Sequence, residues 1–545
     1  MSETPAATKV LVQNLASTIG LQVSPNLEDD YTEMLSSGIA AMEKVVSMDD
    51  FLPTPELKRF PRKDVYRPSP QDNPFNAWAT KATVKNANEE EAASGMLYGK
   101  TVVLKDNIAL AGVPCEFGTS VFSDWVPTLD ATVVTRILQA GGTITGKATW
   151  ENFCAYGVSN TAAHGPVGNP YDKTRSSGGS SSGCGVLVCV GEADMAIGAD
   201  QGGSIRIPAS HVGIVGLKPT FGLVPYTGII SNEISVDHTG PMTRDVMDNA
   251  LLLQVIAGVD GMDDRQIAGT PFPENVPKYY DLLHASRSAH ALLSTAESSR
   301  FTATTPGETR KVRIGILKEG FEIPGMDGKV AECVRRAIKQ LEDLGAEVVT
   351  VTVPEHLNGS LIGRVHRLTQ SNNLLGRTSG TRQVYLTDLT EKIVPWSQEK
   401  FDKLFSNSAI GLIQGLYADK HYPQLHGKTH NLISKLRFEY DTAFRSVDIL
   451  AMPTLPWVAK VLLPQDAPPL SHFKESFGLT GNTLPFNLTG HPALSIPCGM
   501  VSPPDGSDLK LPVGLQLVGQ YFNELTLYKA ALAWSDVYDW RQLLM

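Results

Sequence analysis

The chain has 545 residues, 42% of them apolar and 19% charged, with a formal net charge of −10 and a mean hydropathy of −0.09. These values describe a globular chain able to bury a large core, and they exclude a disordered or membrane-spanning class. The acidic balance argues against a nucleic-acid-binding surface, and six scattered cysteines without CxxC spacing fit reduced, buried thiols better than disulfides or a zinc site.

Along the chain, LEDDYTEMLSSGIAAMEKVVSM carries apolar residues at helical spacing, and the proline-rich FLPTPELKRFPRKDVYRPSPQDNPFN that follows is irregular. Residues 1–95 are therefore expected to form a helical and irregular arm lying on the main body. From Lys100 the texture changes: KTVVLKDNIAL and GGTITGKAT supply β-branched strands on either side of the helical TVVTRILQAGG. The run VLVCVGEADMAIGAD reads as one buried, helix-like element. KVRIGILKEG, GKVAECVRRAIKQLEDLG and AEVVTVTVP form a strand, helix and strand, so part of the sheet should be parallel. Further apolar strands lie in VDILAMPTLP, HPALSIPCG and VGLQLVG, and residues near 370–445 read as a mainly helical excursion over the core. The expected fold is a single large α/β domain, 96–545, with a central mixed β-sheet flanked by helices on both faces.

The N-terminus has neither a basic n-region nor an apolar h-region, and no window approaches eighteen apolar residues, so a cytoplasmic protein without a membrane partner is expected. The histidines form no HExxH or HxH cluster, so neither a metal nor another cofactor is expected.

Chemistry is concentrated in SSGGSSSGCG and ADQGGSIRIPAS, two glycine-serine turns that bracket the buried run. A flexible linker is not followed at once by a core segment. A P-loop needs a lysine and a hydroxyl residue after its second glycine, a dinucleotide fingerprint needs GxGxxG, and a nucleophile elbow needs GxSxG; all three are missing. What remains is a serine nucleophile served by another base. Lysine can be that base where burial populates its neutral amine, and Lys105, at the end of the apolar strand of GKTVVLKDN, is the candidate.

The combination VVLKDN, SSGGSSSG and ADQGGSIRIPAS, with GIVGLKPTFGLVP, DHTGPMTR and LPFNLTGHPALSIPCG, resembles the amidase signature family from about residue 75 to the C-terminus. In overall texture the chain is most similar to the fungal acetamidase-type members. The resemblance implies Ser204 as acyl-accepting nucleophile, Ser180 as proton bridge and Lys105 as ultimate base, with a cis peptide joining Ser180 to Ser181. It implies an oxyanion hole from the backbone N–H groups of Gln201, Gly202, Gly203 and Ser204. Ser181, Asp200 and Arg206 are expected to organise the loops, Asp106 to point to the opposite face of its strand, and Phe153, Cys154 and Tyr156 to wall the pocket. Ser182 and Cys184 depart from the family's usual glycine and serine. The implied substrate is a small amide or a carbamate such as urethane, with water as co-substrate, and a homodimer is compatible with this. Two other readings stay open: a glutamine-hydrolysing A-type subunit of an amidotransferase, and a non-catalytic binding member.

Overall fold

The structure, a computed structural model, describes residues 5–121, 124–286, 288, 292–293, 310–369 and 382–544. The chain divides into two compact units, Met1–Pro53 and Thr54–Met545. Among its described residues the first holds two α-helices, α1 (Lys9–Ser17) and α2 (Glu28–Val46). Thr8 caps α1 by accepting the Leu11 N–H at 3.1 Å, and the Gln13 amide donates to both Val23 O and Glu28 at 2.7 Å, tying the two helices together. The helical pattern read around residues 27–48 is α2.

The second unit is an α/β domain. Its strands are β1 (Arg62–Tyr66), β2 (Trp78–Val84), β3 (Thr101–Lys105), β4 (Thr143–Ala148), β5 (Gly168–Asn169), β6 (Asp172–Ser176), β7 (Met195–Asp200), β8 (Val215–Lys218), β9 (His238–Thr243), β10 (Arg313–Leu317), β11 (Glu347–Val351), β12 (Ile449–Pro453), β13 (Ala493–Val501) and β14 (Leu511–Gly519). Among the described residues, twelve of them form one mixed sheet in the order β1-β2-β4-β3-β7-β9-β8-β13-β14-β12-β10-β11, with β5 and β6 apart. The expected strand, helix and strand from Arg313 to Val351 pair in parallel through β10 and β11. β3, β7, β13 and β14 are nearly continuous apolar runs because both faces of the sheet are covered.

Two readings are corrected. Residues 62–84, assigned to the irregular arm, contribute the edge strand β1 and its inner neighbour β2 to the main sheet; the prolines and charges around them mask these strands. VLVCVGEADMAIGAD is not one element: the helix Ser182–Cys189 stops before Gly191, whose φ is +79°, and MAIGAD continues as β7. Its apolar residues lack alternation because both faces are buried, which disguised a strand as helix. Within the expected 370–445 excursion lie helices 387–393, 398–402, 406–421 and 425–443; residues 370–381 are outside the described ones. All six cysteines are free, and all but the half-buried Cys189 are buried.

The sheet places the candidate lysine. β3 lies between β4 and β7 and runs parallel to both, so the carboxyl ends of β3 and β7 emerge side by side, where α/β sheets commonly hold ligands. Side chains alternate across β3: Val102 and Leu104 enter the larger core, and Val103 packs with Val186 and Leu187 of the helix after the serine turn. Lys105 shares the face of Val103 and so meets that turn.

Candidate active site

Lys105 is fully buried. Its Nζ donates to Ser180 Oγ at 2.8 Å and to Ala199 O at 3.1 Å, and it lies 5.3 Å from the centre of the Trp150 ring. Asp106 does turn to the other face, where it pairs with buried Lys147 at 3.1 Å, so its charge is spent away from Lys105.

The two glycine-serine turns are joined through their backbones: the Ser181 N–H donates to Ser204 O at 3.2 Å. Ser181 Oγ donates to Ala199 O of β7 at 3.1 Å. The non-proline cis bond joins Gly179 to Ser180, one residue earlier than expected. The Ser180–Ser181 peptide is instead the unit whose N–H makes the link to Ser204.

Ser204 stands between β7 and the helix Arg206–Val212. This turn is fixed by a fully buried ion pair: Arg206 donates to both oxygens of Asp200 at 3.0 Å and reaches Thr483 O and Gln516 at 2.9 Å. Asn487 donates to the same Asp200 carboxylate at 2.8 Å. Burial alone would raise the Asp200 pKa, but the Arg206 charge and these hydrogen bonds outweigh it and hold the carboxyl well below its usual range.

Gly203 differs from expectation. Its N–H donates to Asp200 at 2.6 Å, so it is spent on the turn, leaving Gln201, Gly202 and Ser204 as expected oxyanion donors. Glycine is required there: φ is +130°, and a Cβ would lie 2.5 Å from Thr483 Oγ1.

Phe153, Cys154 and Tyr156 line one cavity together with Gly202 and Ser204. Cys154 does more than pack. Its Sγ lies 3.1 Å from Lys105 Nζ, 3.0 Å from Ser180 Oγ and 3.0 Å from Gln201 Oε1, so it touches three expected site residues at once. Phe153 has a φ of 49° and its ring lies 6.0 Å from Phe117. Tyr156 donates its hydroxyl to His472 O at 2.9 Å; burial raises its pKa to about 12, keeping it a neutral donor.

Sequence reasoning missed Glu151. This buried carboxylate accepts the Thr161 N–H and hydroxyl at 3.1 and 2.6 Å and the Ser182 hydroxyl at 3.1 Å. The Ser182 departure thus has a partner. Burial raises the Glu151 pKa to about 7. Its adjacency to Asn152, Phe153 and Cys154 was a signal, but Thr161 and Ser182 come to it only through the fold.

The cavity has a volume of about 510 Å³, within the range of drug-sized ligand sites. Its walls are mainly apolar, from Phe117, Trp150, Leu361, Ile410 and Phe477, and Arg364 and Arg367 add charge. Among the described residues no helix is long and apolar enough to cross a membrane.

A family model described as Amidase matches residues 73–528. The chain is 34% identical over 466 residues to an enantioselective amidase of Rhodococcus rhodochrous, covering 83% of this chain and 81% of that protein. It is 31% identical over 451 residues to the A-type subunit of the glutamyl-tRNA(Gln) amidotransferase of Trichodesmium erythraeum, covering 82% and 85%. Among solved structures, native peptide amidase from Stenotrophomonas maltophilia matches with a TM-score of 0.64 at 28% identity, over 83% of this chain and 85% of that one.

Proposed function

Because the chain belongs to the amidase family and is a hydrolase of amide C–N bonds, we propose that Ser204 is its nucleophile, with Ser180 and Lys105 as proton relay. The observation that carries this reading is the buried 2.8 Å contact between Lys105 and Ser180, in a turn bonded directly to the backbone of Ser204. Neutral Lys105 accepts a proton from Ser180 as Ser180 accepts one from Ser204, and the Ser204 oxygen attacks the amide carbonyl carbon. The N–H groups of Gln201, Gly202 and Ser204 receive the oxyanion; one lost donor of this kind costs about 10²- to 10³-fold in rate. Ser180 then protonates the leaving amine, the C–N bond breaks, and water, deprotonated through the same relay, releases the acid from Ser204.

For the substrate, the apolar cavity favours an aryl or longer alkyl acyl group over acetamide, against the small substrates of the acetamidase-type members. Carbamates present the same carbonyl geometry to the nucleophile and are open to the same attack. A glutamine-hydrolysing role is the second reading, favoured by relatives named as amidotransferase A-type subunits and by Arg364 and Arg367 in the wall, where an amino-acid carboxylate would be held.

The test is ammonia release by the purified chain and by Ser204→Ala, across acetamide, hexanamide, benzamide, glutamine and ethyl carbamate. Release from hexanamide or benzamide, reduced at least about 10⁴-fold in the mutant with an unchanged melting temperature, is expected. Glutamine as the sole substrate would favour the second reading, and undiminished activity in Ser204→Ala would remove the nucleophile assignment.

A further inference from the structure

Behind the cavity wall, three histidines converge. His366 lies on the helix His356–Thr369, and His426 and His430 lie on the helix Leu425–Ala443. Their i,i+4 spacing puts two imidazoles on one helix face, and His366 approaches that face from the neighbouring helix. One nitrogen from each of the three lies within 4.8 Å of the other two, and the rings of His366 and His426 have centroids 4.7 and 4.6 Å from that of His430.

His366 is held from behind. Its Nδ1 lies 3.0 Å from Thr429 Oγ1, between the two other histidines in sequence, and its Nε2 lies 2.8 Å from Ser235 Oγ. Ser235 donates in turn to buried Glu233 at 2.7 Å. With the proton on Nε2, the chain from His366 through Ser235 to Glu233 is complete; Nδ1 faces Thr429 Oγ1, whose hydroxyl donates to His426 O at 2.8 Å, so an ion bound at Nδ1 takes the place of the Thr429 contact. Metal-ligating histidines are ordinarily fixed in this way by a carboxylate or hydroxyl on their far nitrogen.

We propose that His366, His426 and His430 bind a divalent transition cation of the Zn²⁺ or Co²⁺ type, with water completing a four-coordinate site. Three imidazoles suit these metals, whereas Ca²⁺ and Mg²⁺ take oxygen ligands. Zn–N bonds of about 2.0–2.1 Å at the tetrahedral angle place nitrogens about 3.4 Å apart, so modest side-chain rotation closes the set. His426 is exposed and His430 half-buried, which provides both that freedom and an entry path. A bound ion would pin the helix that carries Arg364 and Arg367 to the helix Leu425–Ala443, linking metal occupancy to the cavity wall.

This site stands apart from amide hydrolysis, so binding is the readout. The full chain without a histidine tag is stripped of metal and titrated with Co²⁺, following the visible d–d bands of the four-coordinate ion and the metal retained after gel filtration. One Co²⁺ per chain, displaced by Zn²⁺, is expected. His426→Ala and His430→Ala, both at accessible positions, should each weaken binding by more than the roughly 10- to 100-fold that a lost outer-shell partner costs. His421→Ala, outside the cluster, should bind as wild type does. No saturable Co²⁺ uptake, or uptake unchanged in the His426→Ala, His430→Ala double mutant, overturns the site.

Discussion

From Arg175 to Ser182 every residue is buried, and the hydroxyls of the turn each have a polar contact: Ser177 with Val167 O at 2.9 Å, Ser180 with Lys105 at 2.8 Å, Ser181 with Ala199 O at 3.1 Å and Ser182 with Glu151 at 3.1 Å. Along the helix Ser406–His421 the picture reverses, because Ile410, Ile413, Leu416 and Tyr417 stay exposed while Ile410 also lines the cavity. The proposed reacting groups are fixed by short polar bonds, and this helix offers the cavity wall partly exposed apolar side chains. A satisfied buried network is costly to perturb, since any orphaned member bears its full desolvation penalty. Changes at exposed wall positions such as Ile410 carry no such cost, so substrate preference can vary there without disturbing the buried network.

The sharpest test of the polar half is Lys105→Met, which keeps the apolar stem and removes the amine. Turnover should fall roughly 10²- to 10⁴-fold, the usual worth of a positioned base, and raising the pH should not restore it. Partial rescue at high pH would mean that solvent hydroxide can replace Lys105, and the proposed relay would lose its terminal base.

Next in size is Arg206→Ala. It strands the Asp200 carboxylate in a fully buried site, and breaking such a pair costs about 3–5 kcal/mol. A lowered urea midpoint with unchanged m-value is expected. A loss under about 1 kcal/mol would show the turn to be less dependent on this network than its geometry implies.

Glu151→Gln separates burial from hydrogen bonding. The folded pKa of about 7 stands above the ordinary value of 4.5, so between those values the folded state holds a proton that the unfolded chain has released. The resulting stabilisation is fully present below about pH 4.5 and is lost as pH rises through 7, a change of about 3 kcal/mol. Glutamine cannot titrate, so the mutant's stability should change less than that of wild type from about pH 5 to 7.5. Parallel profiles would show that Glu151 stays ionised throughout.

The contrast between turn and wall also explains what could be read from the sequence. Lys105, Ser180, Ser204 and the Asp200–Arg206 pair sit in short words whose local backbone dictates their positions, and Phe153, Cys154 and Tyr156 lie within four residues of one another. Glu151 escaped because its partners Thr161 and Ser182 are distant in the chain. The histidine cluster escaped because His366 is sixty residues from His426, and HGKTH has the histidine spacing of HExxH without its glutamate. β1 and β2 escaped because pairing, rather than composition, makes them strands. Arg364, Leu361 and Ile410 reach the cavity from helices with no motif of their own, so the wall was illegible for the same reason that it is free to vary.

Ile410→Trp tests that freedom with the smallest expected effect. The larger side chain occupies cavity volume without touching the Lys105, Ser180 and Asp200 contacts, so kcat/KM for a bulky aryl amide should fall about 10-fold, at the lower end of the roughly 10- to 200-fold range for one-group mismatches in apolar pockets. For a small amide kcat should stay within about twofold, and the melting temperature should not move, because the site is already exposed. Equal losses on both substrates would mean that the helix Ser406–His421 positions the reacting groups as well as the substrate. The wall would then be mechanically part of the buried network, and substrate range could not shift without some loss of rate.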